Sequence, residues 1–473
     1  MQDYTPPTNG FRTFLIVWAT QSISVFGSAL TGFAINIWML TTLYPLPEQK
    51  PQLAGALSLV SLAFAIPAIF AAPIAGAWAD RHDRKRIMMA TDTFSGLISI
   101  LLLILVAAQQ LNLALLLVLI VAFAAANSFH TAAFDTSYVM LVTKDQLPRA
   151  NGMMQTIFAL SGILSPAFAA FLLSIPALAR QNDVALFTTG ALAGLKDGAP
   201  LAMGIDALTF FLAAGALVFL LIPSPKRTDL GSEGAPRKSL WADVRFGVVY
   251  IWQRRPLLWL LATFAAVNFF LSPIGVLMPL LLKFNLAADW QARGLTLESA
   301  IAMLSSVMAL GGITGGVVVS VWGGLKKRRV YGVLVSIILV GVTLIFVGSA
   351  PWIYAVAAAF FLMQAVTPAA NIHSQAIWQG QVPPDMQGRV FAVRRVIAQF
   401  AAPISTALAG LIGGLFDPGL VLTILGALNV LICGAQLFNP QLLHVEDKEY
   451  LDQLAKQAEL AKQAELAQQA QIP

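Results

Sequence analysis

Apolar residues fall along this chain in long, nearly unbroken runs, longer than the core helices of a soluble domain require. A bilayer interior about 30 Å thick takes roughly 20 residues of helix. Twelve runs reach or approach that length. They lie at about 12–41, 53–78, 87–108, 112–142, 150–176 and 201–223, then at 257–284, 298–322, 330–347, 351–377, 390–415 and 418–438. The ninth and tenth are parted only by Gly348-Ser-Ala-Pro351, which predicts a tight hairpin. The first run lacks the short apolar region and cleavage site of a removable leader, so it reads as a span. The pattern predicts an all-α membrane protein with twelve transmembrane helices.

Composition and charge sharpen this. Of 473 residues, 58% are apolar and 11% charged, with a mean hydropathy of +0.76; a soluble domain carries about 25% charged residues. So little polar surface excludes a cytosolic enzyme, a secreted disulfide scaffold and a disordered chain. Cys433 is the single cysteine, so neither an intrachain disulfide nor a Cys-cluster metal site can form. No metal and no cofactor are expected. The net charge of +6 does not point to nucleic acid, because the basic residues sit at membrane boundaries. With both termini inside, 24 of the 29 Lys and Arg lie on the cytoplasmic side, leaving Lys50, Arg180, Lys196, Lys283 and Arg293 outside. This predicts a multi-pass protein of the cell (inner or plasma) membrane with both termini in the cytoplasm.

The two halves repeat. Leu141-Val-Thr-Lys-Asp-Gln-Leu-Pro-Arg149 matches Gln381-Val-Pro-Pro-Asp-Met-Gln-Gly-Arg389, and Trp78 with Arg84-Lys85 matches Trp322 with Arg328-Arg329, each pair on corresponding loops. Two pseudo-symmetric six-helix halves (1–223 and 257–440) imply a substrate held between them near the midplane. The cytoplasmic linker 224–256 begins Pro- and Gly-rich. It then sets Trp241, Val244, Val248, Ile251 and Trp252 on one helical face, a pattern for an interfacial amphipathic helix that tethers the halves. The Ala/Gln-rich tail 441–473 repeats a hexad from Leu454, Leu460 and Leu466. A period of six turns each leucine by about 240°, so these leucines form no coiled-coil seam and the tail reads as a solvated cytoplasmic helix.

The loop after the second span is Gly76-Ala-Trp-Ala-Asp80-Arg81-His-Asp-Arg84-Lys85-Arg86. It resembles the signature Gly-x-x-x-Asp-Arg-x-x-Arg-Lys/Arg-Arg of the major facilitator superfamily, with Asp83 where many members have Gly. Gln146-Leu-Pro-Arg-Ala-Asn151 and Gly388-Arg-Val-Phe391 are most similar to its macrolide-efflux and siderophore-exporter branch of drug:proton antiporters. The resemblance implies the two-halved fold of that family, and a conformational latch of Gly76, Asp80, Arg81, Arg84 and Lys85 that engages the other half in one state. The fifth span carries Gly152, Ser161, Ser165, Pro166, Ala169 and Ala170 at the spacing of the family's antiporter motif, with Ser or Ala replacing every Gly but the first. In the family that motif seals the outer side and accompanies export.

In this fold the first, fourth, seventh and tenth spans line the cavity. Gln21, Ser24, Ser28 and Thr31 are spaced 3, 4 and 3, one helical face. Gln364, Thr367, Asn371 and Ser374 repeat that spacing in the tenth span, the fourth offers Asn127, Thr131 and Tyr138, and the seventh offers Asn268. Phe26, Phe33, Trp38, Phe264, Phe269, Met363 and Trp378 lie near these positions, as wall or as packing. Ionisable residues in spans are costly and mark function. The proton-coupling candidates are Asp135, five residues from His130 on a cavity helix, then Asp206, and His130 itself; Asp92 reads as structural. The expected activity is export of an amphipathic hydrophobic small molecule in exchange for protons by a monomer. The chain has no phosphate-binding Gly-Lys-Ser/Thr loop and no catalytic triad, so it reads as no enzyme. A lipid flippase of the same fold and a non-transporting membrane sensor or assembly subunit are the alternatives.

Overall fold

The computed structural model describes residues 7–143, 145–180, 194–223, 240–383 and 386–469; the early linker 224–239 and Lys144 lie outside them. Among the described residues, twelve helices are long and apolar enough to cross a membrane: Gly10–Leu43, Pro47–Ala79, Arg84–Ala107, Leu113–Leu141, Arg149–Arg180, Ala199–Val218, Arg255–Asn285, Leu297–Trp322, Arg329–Ser349, Ile353–Gln381, Gln387–Leu415 and Pro418–Phe438. They match the twelve apolar runs to within a few residues at each end. The hairpin between the ninth and tenth spans is present, the helix stopping at Ser349 and resuming at Ile353.

Helix ends follow local chemistry. Asp83, Asn112 and Asp417 accept the backbone N–H of Arg86, Leu115 and Leu420 at 3.2, 3.0 and 2.8 Å, satisfying N–H groups that the first helical turn leaves open. The first span closes with a π turn, Met39–Leu43. The Lys283 ammonium donates to the carbonyls of Leu40 and Tyr44 at 2.6 and 2.7 Å there. Ser272 and Pro273 interrupt the seventh span, which continues as Ile274–Leu280 and a second π turn, Leu281–Asn285.

The chain divides into two compact units. One holds Met1–Glu233, Leu282–Ala309 and Gly413–Leu415; the other holds Gly234–Leu281, Leu310–Ile412 and Phe416–Pro473. The first packs a core around Phe14, Met88, Phe134 and Leu217. In the second, a side chain on Gly315 of the eighth span would collide with the Ala365 carbonyl of the tenth, so these helices meet backbone to backbone through small residues.

The second core also extends beyond the spans. The linker helix Leu240–Gln253 buries Tyr250 and Ile251, while Val244, Val248 and Trp252 stay exposed. The start of the tail is docked: Leu442, Val445 and Leu451 are buried in the same cluster. Asp452 pairs with Arg254 at 3.5 Å, and Gln381 donates to the Glu446 carbonyl at 2.9 Å. The tail helix runs Lys448–Gln469, and its Leu460 is exposed.

Candidate functional site

Within the first unit a cavity of about 450 Å³ opens among its six spans. One wall is the stripe predicted on the first span: Gln21, Ser24, Ser28 and Thr31 all line it. Asn127 and His130 reach it from the fourth span, three residues apart and so on one helical face. Asp206 enters from the sixth. The third span supplies Asp92, Ser95 and Ser99 at spacings of 3 and 4. Phe64, Phe123, Phe158 and Phe210, with several aliphatic side chains, make the rest of the wall apolar.

Two carboxylates organise the polar side. Asp92, 1% exposed, accepts from Gln21 Nε2 at 3.1 Å and meets His130 Nε2 at 3.2 Å. Asp206, also 1% exposed, accepts from Ser99 Oγ at 2.8 Å and from Ser28 Oγ at 3.2 Å. Burying a charge among apolar walls is tolerable only with such partners. The close approach behind Asp206 depends on Gly27, where any side chain would strike Thr209 and the backbone of Asp206. Arranged this way, each cluster can hold or release a proton at a carboxylate, and the aromatic wall can take an apolar body.

Comparison with known proteins decides the class. The family model described as Major Facilitator Superfamily matches residues 17–406. The chain belongs to that superfamily. Macrolide efflux protein A of Streptococcus pyogenes is 27% identical over 402 residues, 84% of this chain and 88% of that protein. The protein of the same name from Enterococcus faecalis is 27% identical over 355 residues, 74% of this chain and 98% of that one. A bacterial homolog of the human lysosomal transporter Spinster, solved inward-facing and unoccupied, superposes with a TM-score of 0.60 at 15% identity, covering 96% of each chain, and shows the fold alone. The protein is a multi-pass membrane transporter of this superfamily.

The superfamily's signature loop joins the second and third spans. Asp80 lies 3.7 Å from Arg84, which also donates to the Thr136 carbonyl at 3.0 Å. Lys85 donates to the Val218 carbonyl at 2.8 Å, while Gly76 is half-buried and Arg81 exposed. The loop therefore ties the third span to the fourth and sixth. In the antiporter-motif segment Ser161, Ser165 and Ala169 are buried, and Ser165 donates to the Phe26 carbonyl at 3.3 Å. Gly152 is exposed, and Pro166 and Ala170 lie farther along the same helix. Ser306, within the eighth span, donates to the Ile163 carbonyl at 2.8 Å.

Other predicted site residues lie apart from the cavity. Asp135 and Thr131 are exposed, and Tyr138 donates to Asn151 Oδ1 at 2.9 Å. Five residues of α-helix turn through about 140° beyond one full turn, so Asp135 cannot share the face of His130. In the second unit Asn268 donates to the Ala398 carbonyl at 2.8 Å and Thr367 to that of Met363 at 2.8 Å. Ser374 and Gln375 accept from Arg394 at 3.2 and 2.9 Å; Asn371 is exposed and Gln364 half-buried. Phe33, Trp38 and Trp378 are buried packing residues, the last beneath the Arg394 guanidinium at 5.0 Å.

Asp92, which reads from sequence as structural, lines the cavity with Ser95 and Ser99, on a third span that the expected set of cavity helices omits. The polar spacing of Asp92, Ser95 and Ser99 was the available signal. His373 is a second omission. It is 2% exposed, and its Nε2 accepts the Leu325 N–H at 2.8 Å while Nδ1 meets the Ala369 carbonyl at 2.6 Å.

Proposed function

We propose that the protein exports an amphipathic hydrophobic small molecule, of drug, macrolide or siderophore type, in exchange for protons, by rocking alternating access. The observation that carries the reading is the pair of buried carboxylate clusters on one aromatic-walled cavity. Intramembrane acids are retained where they serve ions or substrates, and the aromatic wall favours an apolar body over a small anion. The efflux proteins similar to this chain support the direction of transport.

Asp206 is the proton-exchanging residue in this reading. Its hydroxyl partners stabilise the carboxylate, and entry of substrate among them favours one protonation state over the other. Asp92 with His130 forms the second site, and Gln21 links it to the first span. Asp80, Arg81 and Arg84 act as the latch between transport states, and the small residues of the fifth span as its outer seal. The chain works as a monomer in the cell membrane with both termini cytoplasmic, the arrangement that the distribution of Lys and Arg favours.

The test is a proteoliposome loaded with acid and an internal pH dye, challenged with a panel of amphipathic compounds. Substrate-triggered alkalinisation is the expected result. Silence across the panel, in vesicles that respond to a proton-leak control, would overturn proton antiport of this substrate class.

A further inference from the structure

Where the linker helix meets the seventh span, the chain breaks at Arg254 and the two adjacent arginines part. Arg254 lies over the Tyr250 ring at 3.8 Å and pairs with Asp452. Arg255 is exposed, and among the described residues no carboxylate pairs with it. It lines a groove of about 820 Å³ together with Trp252 and Trp259, which are 69% and 40% exposed, and with Leu258, Asn439 and Pro440. The Trp259 indole is held in place by donating to Gln441 Oε1 at 2.9 Å. The exposed Val244 and Val248 continue the apolar edge along the linker helix, one turn apart and leading to Trp252.

We propose that this groove binds an anionic phospholipid, with Arg255 on the phosphate and the two tryptophans against the glycerol and upper acyl chains. Three features converge on that occupant. Tryptophan concentrates where headgroup meets hydrocarbon because one ring edge is polar and the body apolar. An arginine fork matches two phosphate oxygens. A helix with an exposed apolar stripe ending at a cation lies in the plane of a membrane surface rather than across it. The docked tail segment completes the groove through Pro440 and Gln441, so the site belongs to the second unit alone and does not depend on what the transporter carries.

The experiment is native mass spectrometry of the purified full chain given an equimolar mixture of phosphatidylglycerol and phosphatidylcholine. The wild type should retain phosphatidylglycerol about fivefold better, the contribution of one basic residue beside an anionic surface. Arg255→Gln should erase that preference, Arg255→Lys, which keeps the charge but loses the fork, should keep only part of it, and Trp252→Ala should shorten retention of both lipids. Arg328→Gln, an exposed arginine remote in sequence from the groove, should leave the preference intact. Equal retention of the two lipids by the wild type would overturn the proposal, as would equal loss with Arg328→Gln. So would complete competition by inorganic phosphate, which would mark an anion site with no lipid specificity.

Discussion

Asp92 and Asp206 in the first half, and His373 and Asn429 in the second, are all buried polar groups on membrane helices, yet they are satisfied differently. The two aspartates take their partners from other side chains, Gln21, His130, Ser28 and Ser99, every one of which also faces the cavity. Asn429 donates to the Ile337 carbonyl at 2.9 Å, and His373 is held by backbone groups on both ring nitrogens. Acids follow the same division. Away from the span ends the first half places three within its spans, Asp92, Asp135 and Asp206, whereas the second has none: Glu298 and Asp417 stand at the starts of the eighth and twelfth spans, and Asp385 falls between the tenth and eleventh. A side-chain cluster beside a void can rearrange when a proton or a substrate arrives. A side chain bonded to a neighbouring helix's backbone is part of the packing, and moving it costs the fold.

The largest effect that would test this contrast belongs to Asp206→Asn. The amide keeps the shape and the serine contacts but cannot exchange a proton, so substrate-triggered alkalinisation in acid-loaded vesicles should fall to the leak of empty ones. Normal alkalinisation would remove Asp206 from the coupling path. Asp92→Asn comes next. Hydrogen bonds to a charged group are worth about 1.5–3 kcal/mol, so weakening those to Gln21 and His130 should slow initial efflux roughly tenfold, a factor equivalent to 1.4 kcal/mol. If the melting temperature drops while the rate holds, Asp92 belongs with the packing residues after all.

For the second half the sign reverses. Asn429→Leu should cost about 0.6 kcal/mol, and at most about 1.7, the range for side-chain bonds between membrane helices. Detergent melts should record that loss while transport per folded molecule stays unchanged; lost transport in a stable variant would break the contrast. The smallest effect is expected at exposed Asp135, where Asn should shift stability by less than about 0.5 kcal/mol and leave the pH profile of efflux in place. A displaced profile would bring the outer face of the fourth span into the mechanism.

The twelve spans could be read from the chain because a bilayer imposes one length on every run that crosses it, and the signature loop pointed to the superfamily. The polar stripe of the first span also transferred to the structure, since spacing of 3 and 4 fixes a face whatever surrounds it. The choice among acids was harder. Asp135 and His130 look adjacent in sequence, but helix geometry separates their faces, and Asp92 gains its meaning only from Gln21, 71 residues away. The docking of Leu442, Val445 and Leu451 was hidden for a related reason. The hexad repeat that follows dominates the tail's composition, and nothing in it shows that the preceding residues have a core to enter.

That docked segment sets where the chain can be handled. A reporter joined beyond Gln469 would extend from a helix whose exposed Leu460 already stands clear of the core. A cut placed before Leu451 would withdraw that buried side chain from the core that holds Tyr250 and Ile251 and strip Arg254 of its counterion. Two shortened versions differing by about one helical turn, one ending before Leu451 and one after Asp452, would therefore behave as different proteins: the longer one an innocuous trim, the shorter one an unpinned hinge.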